Sequence, residues 1–155
     1  MMERIASFQV DHNKLEPGMY LSRRDGDVTT FDLRFKKPNT GDLLTNAEMH
    51  SVEHIIATLL RNSPEKDAVI YFGPMGCQTG FYFLFDSRRL TDGQAVELLK
   101  RVFADGAAYS GPMPGKSPAE CGNYINLDVA LANAQCAFYR DIIQNWTEAD
   151  LAYEK

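Results

Sequence analysis

Two hydrophobic periodicities alternate along this chain. Phe31-Asp32-Leu33-Arg34-Phe35 switches between apolar and polar at every residue, the mark of a half-buried strand, and Pro38-Asn39-Thr40-Gly41 ends it. Met49, Val52, Ile56, Leu59 and Leu60 then recur at helical spacing. This helix is predicted to start at Thr45, with Glu48 three residues on as the partner of a capping box, and to close before Pro64. Ala68-Val69-Ile70-Tyr71-Phe72 and Phe81-Tyr82-Phe83-Leu84-Phe85 read as further strands around the turn-rich Gly73-Pro74-Met75-Gly76-Cys77. Thr91-Asp92-Gly93-Gln94 predicts a second helix start, with Val96, Leu99, Val102 and Phe103 on its apolar face. Ser110 to Asn123 is rich in Gly and Pro and reads as a loop, and a last helix is predicted from about Asn126 to Trp146. Strands clustered with helices, without regular β-α-β alternation, predict the α+β class: an antiparallel sheet packed against helices.

A length of 155 residues predicts one domain spanning 1–155, and 45% hydrophobic residues suffice for a core. The net charge of −5 excludes a general binder of nucleic-acid backbone. No apolar run reaches the roughly 18 residues a membrane span needs, so no membrane partner is expected. The first residues, Met1 to His12, carry no apolar signal-peptide core, which predicts a cytoplasmic protein. Cys77, Cys121 and Cys136 are then expected as reduced thiols, and an odd count speaks against a pure disulfide framework.

The densest chemistry lies at His50-Ser51-Val52-Glu53-His54. On a helix, residues four apart share a face, so both imidazoles can reach one metal ion while Glu53 stands beside it as a general acid/base. The plainer alternative is two surface histidines and a solvated glutamate. Cys121, in an irregular Gly-containing stretch, could complete a His50/His54/Cys121 ligand set. Three protein ligands leave an open position, and mixed imidazole and thiolate donors suit Zn(II) or Fe(II) over Mg or Ca. The alternative for Cys121 is a small packed thiol. Glycines flank Cys77 on both sides and allow close approach of a ligand, so the thiol could act as proton shuttle or nucleophile, or else simply pack in a tight turn. Cys136, in Ala134-Gln135-Cys136-Ala137, reads as core packing.

His50-Ser51-Val52-Glu53-His54, Gly73-Pro74-Met75-Gly76-Cys77-Gln78-Thr79-Gly80 and Glu120-Cys121-Gly122 follow one another in the order and spacing of the LuxS (S-ribosylhomocysteine lyase) family, which this chain resembles. Ser7-Phe8 with Asp11-His12-Asn13, and Phe31-Asp32-Leu33-Arg34-Phe35 with Pro38-Asn39, extend the resemblance over nearly the whole chain. The resemblance implies an α/β sandwich of LuxS type. It implies His50, His54 and Cys121 as ligands of Fe(II), with Zn or Co as substitutes, and Cys77 and Glu53 as the general acid/base pair. It also implies a small-molecule substrate, S-ribosylhomocysteine, contacted or surrounded by Ser7, His12, Arg34 and Arg61. The products would be homocysteine and 4,5-dihydroxy-2,3-pentanedione, and the assembly a homodimer with active sites at the interface. One departure is Val69-Ile70-Tyr71-Phe72-Gly73, which lacks the carboxylate that family members often carry ahead of this Pro-Met-Gly-Cys motif.

Two other readings compete. A metallopeptidase also uses H-x-x-E-H, but its third ligand is usually a downstream carboxylate and it gives Cys77 no role. A metal-stabilised binding module predicts a closed four-ligand site.

Overall fold

The computed structural model describes residues 2–153. Four strands, β1 (Gly18–Asp25), β2 (Val28–Arg34), β3 (Val69–Pro74) and β4 (Gly80–Asp86), form one antiparallel sheet in the order β1-β2-β4-β3. A four-residue helix, α1 (Ala6–Gln9), precedes the sheet in the chain. Three longer helices, α2 (Asn46–Arg61), α3 (Asp92–Ala108) and α4 (Val129–Ile143), supply the rest of the core. This is the expected α+β sandwich.

Period-2 patterning explains how the layers meet. Phe31 and Leu33 of β2 and Phe81, Phe83 and Phe85 of β4 face the helices and are fully buried. They pack with Val52, Ile56 and Leu60 of α2, with Val96, Leu99 and Phe103 of α3, and with Tyr139 and Ile143 of α4. Phe35 stacks on Tyr139 with ring centroids 4.2 Å apart. The intervening residues of the same strands, Thr30, Asp32, Arg34, Tyr82 and Leu84, line the opposite face.

The predicted capping box forms at α2, and the predicted helix start at Thr91 forms one as well. Thr45 accepts from the Glu48 amide and Glu48 from the Thr45 amide, and Thr91 and Gln94 repeat the exchange at α3. The last helix is shorter than predicted: Asp128 caps it, and Tyr124–Asn126 forms a separate 3-10 turn. β1 has no counterpart in the predicted elements. Its alternation is spoiled because Tyr20, on the outer face, is buried while the second half is charged, and the pairing with β2 shifts register between Leu21 and Arg23. The two residues between the paired Asp25 and Val28 are Gly26 and Asp27, and Gly26 at φ 61° in the first position is the hairpin signal that marks the connection.

Candidate metal and thiol site

The histidine end of the site is built on α2. Its capped N-terminus and its buried stripe of Met49, Val52 and Ile56 fix the helix rotation, which leaves His50, Glu53 and His54 half-buried at the margin of the core. His50 and His54 stand edge to face with ring centroids 4.7 Å apart. Cys121 comes from the long loop ahead of α4, where its amide bonds to the Ser117 carbonyl at 3.1 Å. The ligand atoms of His50, His54 and Cys121 all lie within 4.8 Å of one another, and Cys121 Sγ is 3.3 Å from His50 Nε2. Metal–nitrogen and metal–sulfur bonds of about 2.0 and 2.3 Å in a tetrahedron put N and S roughly 3.5 Å apart, so the group fits one ion.

The outer partners of the rings agree with that fit. His54 Nδ1 lies 2.9 Å from the Pro114 carbonyl, which can only accept, so Nδ1 carries the proton and Nε2 keeps its lone pair. His50 Nδ1 is 2.6 Å from Asn126 Oδ1, and the Asn126 amide donates to Asn46 Oδ1 at 3.0 Å, which orients the oxygen toward the ring. Gly115, at φ 72°, permits the close approach of its loop: a Cβ there would stand 3.0 Å from His54 Nδ1. The carboxylate nearest in sequence to Cys121, Glu120, accepts from the Ser117 hydroxyl at 2.7 Å and lines the same cleft as Glu53 and His54 without joining the ligand group. Among the described residues the group is therefore His-His-Cys, with no third carboxylate ligand of the peptidase kind. Glu53 lies beside it on two clefts. One, of about 500 Å³, includes His54, Phe72 and Pro114, and the other, of about 230 Å³, includes His50, Pro74 and Asn123.

Pro74 opens the turn that carries the second reactive group. Cys77 is exposed at the tip of the β3–β4 connection. The turn is held from both sides: Met75 N donates to the Gly80 carbonyl at 2.9 Å, and Gln78 exchanges bonds with Leu44, backbone to backbone and side chain to backbone, each at 2.9 Å. Gln78 sits in the left-handed region at φ 65°, a conformation these contacts enforce. Gly80 lets β4 press against β2, where a Cβ would collide with the Leu33 carbonyl.

Arg34 reaches this turn from β2. Its Nη1 donates to Thr79 Oγ1 at 2.8 Å and lies 3.9 Å from Cys77 Sγ, while Thr79 Oγ1 is 3.0 Å from the same sulfur. Its other nitrogens fork onto Asp32, Nε to Oδ1 at 3.1 Å and Nη2 to Oδ2 at 2.7 Å. Burial works against the Arg34 charge, but the charge and hydrogen bonds of Asp32 outweigh it and hold the guanidinium's pKa above its ordinary value. Burial, reinforced by Asp32, likewise pushes the phenol of nearby Tyr82 up. Thr79 and Asp32 are site residues that sequence reasoning missed, although both lie inside the motifs that carry the family resemblance. Asn126 and Pro114 give no signal beyond their loop.

The other predicted substrate residues are placed apart. Ser7 lines a cavity of about 350 Å³ over the outer sheet face with Ile5, Tyr71, Tyr82 and Leu84. His12 turns onto its own loop, with Nδ1 2.9 Å from the Val10 carbonyl. Arg61 donates to the Val69 and Ile70 carbonyls, both at 2.9 Å, and so ties the end of α2 to β3. Among the described residues, no hydrogen bond joins these three to the His-His-Cys group or to Cys77.

An α+β sandwich with a His-His-Cys group that fits one ion, a carboxylate beside it and a thiol in contact with arginine defines a metalloenzyme class. The chain belongs to the S-ribosylhomocysteinase (LuxS) family, whose profile matches residues 5–150. It is 45% identical to an S-ribosylhomocysteine lyase of Desulfotalea psychrophila, and 42% identical to those of Finegoldia magna and Clostridium beijerinckii. Each alignment covers 98% of this chain and 99% of the relative.

Proposed function

We propose that residues 1–155 act as one metal-dependent carbon–sulfur lyase unit that cleaves S-ribosylhomocysteine to homocysteine and 4,5-dihydroxy-2,3-pentanedione. The observation that carries this reading is the His-His-Cys group that fits one ion, with Glu53 beside it in a cleft bordered by Pro74, the residue that opens the turn carrying the arginine-backed thiol. His50, His54 and Cys121 would hold the ion. The donor set suits a borderline-soft divalent metal, and we take it to be Fe(II), with Zn or Co as substitutes. When bound, such an ion supplies Lewis acidity that makes the proton beside a sugar carbonyl acidic.

A thioether leaves poorly unless a carbonyl lies β to it, so the carbonyl must first travel along the sugar. Cys77 takes the C2 proton and returns it to C1, and a second shift of the same kind brings the ketone to C3. Loss of the C4 proton then expels homocysteine from C5, and the remaining enol tautomerises to the dione. Glu53 moves protons between oxygens and serves the later steps. Positioned proton transfers of this kind contribute roughly 10²–10⁴-fold each. Arg34 steers Cys77 through its contact with the sulfur, and Ser7, His12 and Arg61 are taken as residues around the substrate on the family resemblance.

The uncovered sheet face supports a homodimer. Tyr71 is 50% exposed there, Phe8 of α1 64%, and Ile5 and Leu84 border the same cavity. A second copy over this face would close the cavity around Ser7, and light scattering tests it. Among the described residues no helix is long and apolar enough to cross a membrane, and we place the enzyme in the cytoplasm.

The test of the reading is metal analysis of anaerobically purified protein combined with a thiol-release assay on S-ribosylhomocysteine. Cys77→Ser and Glu53→Gln should keep the metal and lose homocysteine release by roughly 10²-fold or more. Loss of metal from either variant would make that residue a ligand and overturn the division of roles. Solvent deuterium exchange at the substrate's C2 separates the two, since Cys77→Ser should abolish it.

A further inference from the structure

The chain returns at its C-terminus to the back of the thiol. Asp32 and Arg34 are 2% and 3% exposed, and their fork leaves Arg34 Nη1 for Thr79 and Cys77. Asp32 Oδ2 has a second donor, the Tyr153 hydroxyl, at 2.7 Å. The Tyr153 ring stacks on Tyr20 with centroids 5.0 Å apart. Tyr20 in turn meets Trp146 edge to face, and the Trp146 indole donates to the Met19 carbonyl at 2.7 Å. The Leu21 amide donates to the Leu151 carbonyl at 2.8 Å, which fastens the same tail to β1. The tail thus delivers one polar atom to the carboxylate that orients Arg34.

We propose that Tyr153 is a positioning residue for Cys77, acting through Asp32 and Arg34. The inference rests on the reading of Cys77 as the working base. A carboxylate in a dry site draws on every donor it can reach. The phenol takes up part of the Asp32 charge, so less of the guanidinium's positive charge is cancelled on the side that faces Thr79 and Sγ. With the hydroxyl gone, Oδ2 is satisfied by Arg34 alone. The guanidinium is drawn toward Asp32, and the pair presents a more negative field to the thiol. Burial, with Asp32 second, holds the phenol's pKa well above its ordinary value, so Tyr153 stays protonated and donates throughout the working range. The other charged or titratable groups around the turn are Tyr82 on β4, Arg23 on β1 and Glu53 across the cleft at Pro74, and the Tyr153 hydroxyl bonds to none of them.

Tyr153→Phe removes the hydroxyl and keeps the stacking ring, so the fold is retained. The metal-loaded protein is alkylated with iodoacetamide between pH 5 and 9, and modification of Cys77 is followed by peptide mapping, alongside metal content and thermal midpoint. The alkylation curve for Cys77 should move to higher pH, with the rate on its rising limb lowered about 3–10-fold. Metal content should stay unchanged, and the kcat of homocysteine release should fall with KM held. A wild-type alkylation curve in Tyr153→Phe overturns the proposal, including when the thermal midpoint drops, because that is a structural role only. A shifted curve in a protein that releases no homocysteine supports the coupling and refutes the lyase reading. Reduced release with an unshifted curve does the reverse.

Discussion

The histidine pole and the thiol pole of this molecule are held by opposite means. His50 and His54 are steered by neutral acceptors, the Asn126 side chain and the Pro114 carbonyl, on half-buried loops. Cys77 is steered by a buried ion pair at the end of β2. Neutral partners set a tautomer at little expense, so the histidine pole can lose one of them and remain folded. A buried pair has no such tolerance: removing one member leaves a charge without a partner in a dry site. The first pole is therefore separable from the fold, whereas the second is part of it.

That contrast breaks most visibly at Asp32. Asp32→Ala leaves the Arg34 guanidinium buried and unpaired, and should destabilise the protein by about 3–5 kcal/mol in urea unfolding. A loss under about 1 kcal/mol would mean that the pair is not integral to the fold. Cys121→Ala should lower metal affinity more than about 100-fold, past the 10–100-fold range usual for outer partners, while the urea midpoint of the metal-free protein hardly moves. Full occupancy in that variant would remove Cys121 from the ligand set. Asn126→Ala should weaken metal binding by about 10–100-fold, again with little change in metal-free stability. Competition with a chelator measures both affinities, and equal affinity in wild type and Asn126→Ala would show that the His50 tautomer needs no such support.

The two poles also differ in how far they can be read from the chain. α2 is legible because its capping box, its apolar stripe and the i, i+4 histidines are all local features. Cys121 is legible as a thiol in irregular backbone, and the structure brings it to the imidazoles. The long-range partners are not legible. Asn126 meets His50 across 76 residues and Tyr153 meets Asp32 across 121, and no local pattern encodes either contact. Arg34 enters the sequence reading as a strand residue and, by the family resemblance, as a substrate contact. Its partner is Asp32, two residues away on the same strand face, an i, i+2 relation that the alternation already contains. β1 stays hidden because the C-terminal tail covers its outer side, so burial there does not follow the period of a half-exposed strand.

Alkali should separate the buried parts from the open ones by a smaller margin. Burial pushes the Cys136 thiol up to about 12, and burial followed by Asp32 raises the phenols of Tyr139 and Tyr153. In the unfolded chain these groups titrate near 8.5 and 10. The folded protein therefore keeps protons that the unfolded chain releases. This contribution to stability is whole below about pH 8.5 and declines as the pH rises toward the folded-state values. Each retained proton adds up to about 1.4 kcal/mol of decline per pH unit. Urea unfolding at pH 7, 9 and 10.5 should show Cys136→Ala flattening the decline from about pH 9, and Tyr153→Phe flattening it only above about pH 10. Asn126→Ala, which alters only the histidine pole, should follow the wild-type slope. If all three variants decline alike, the buried acids are not the source of the alkaline loss, and the energetic distinction between the poles does not extend to protons.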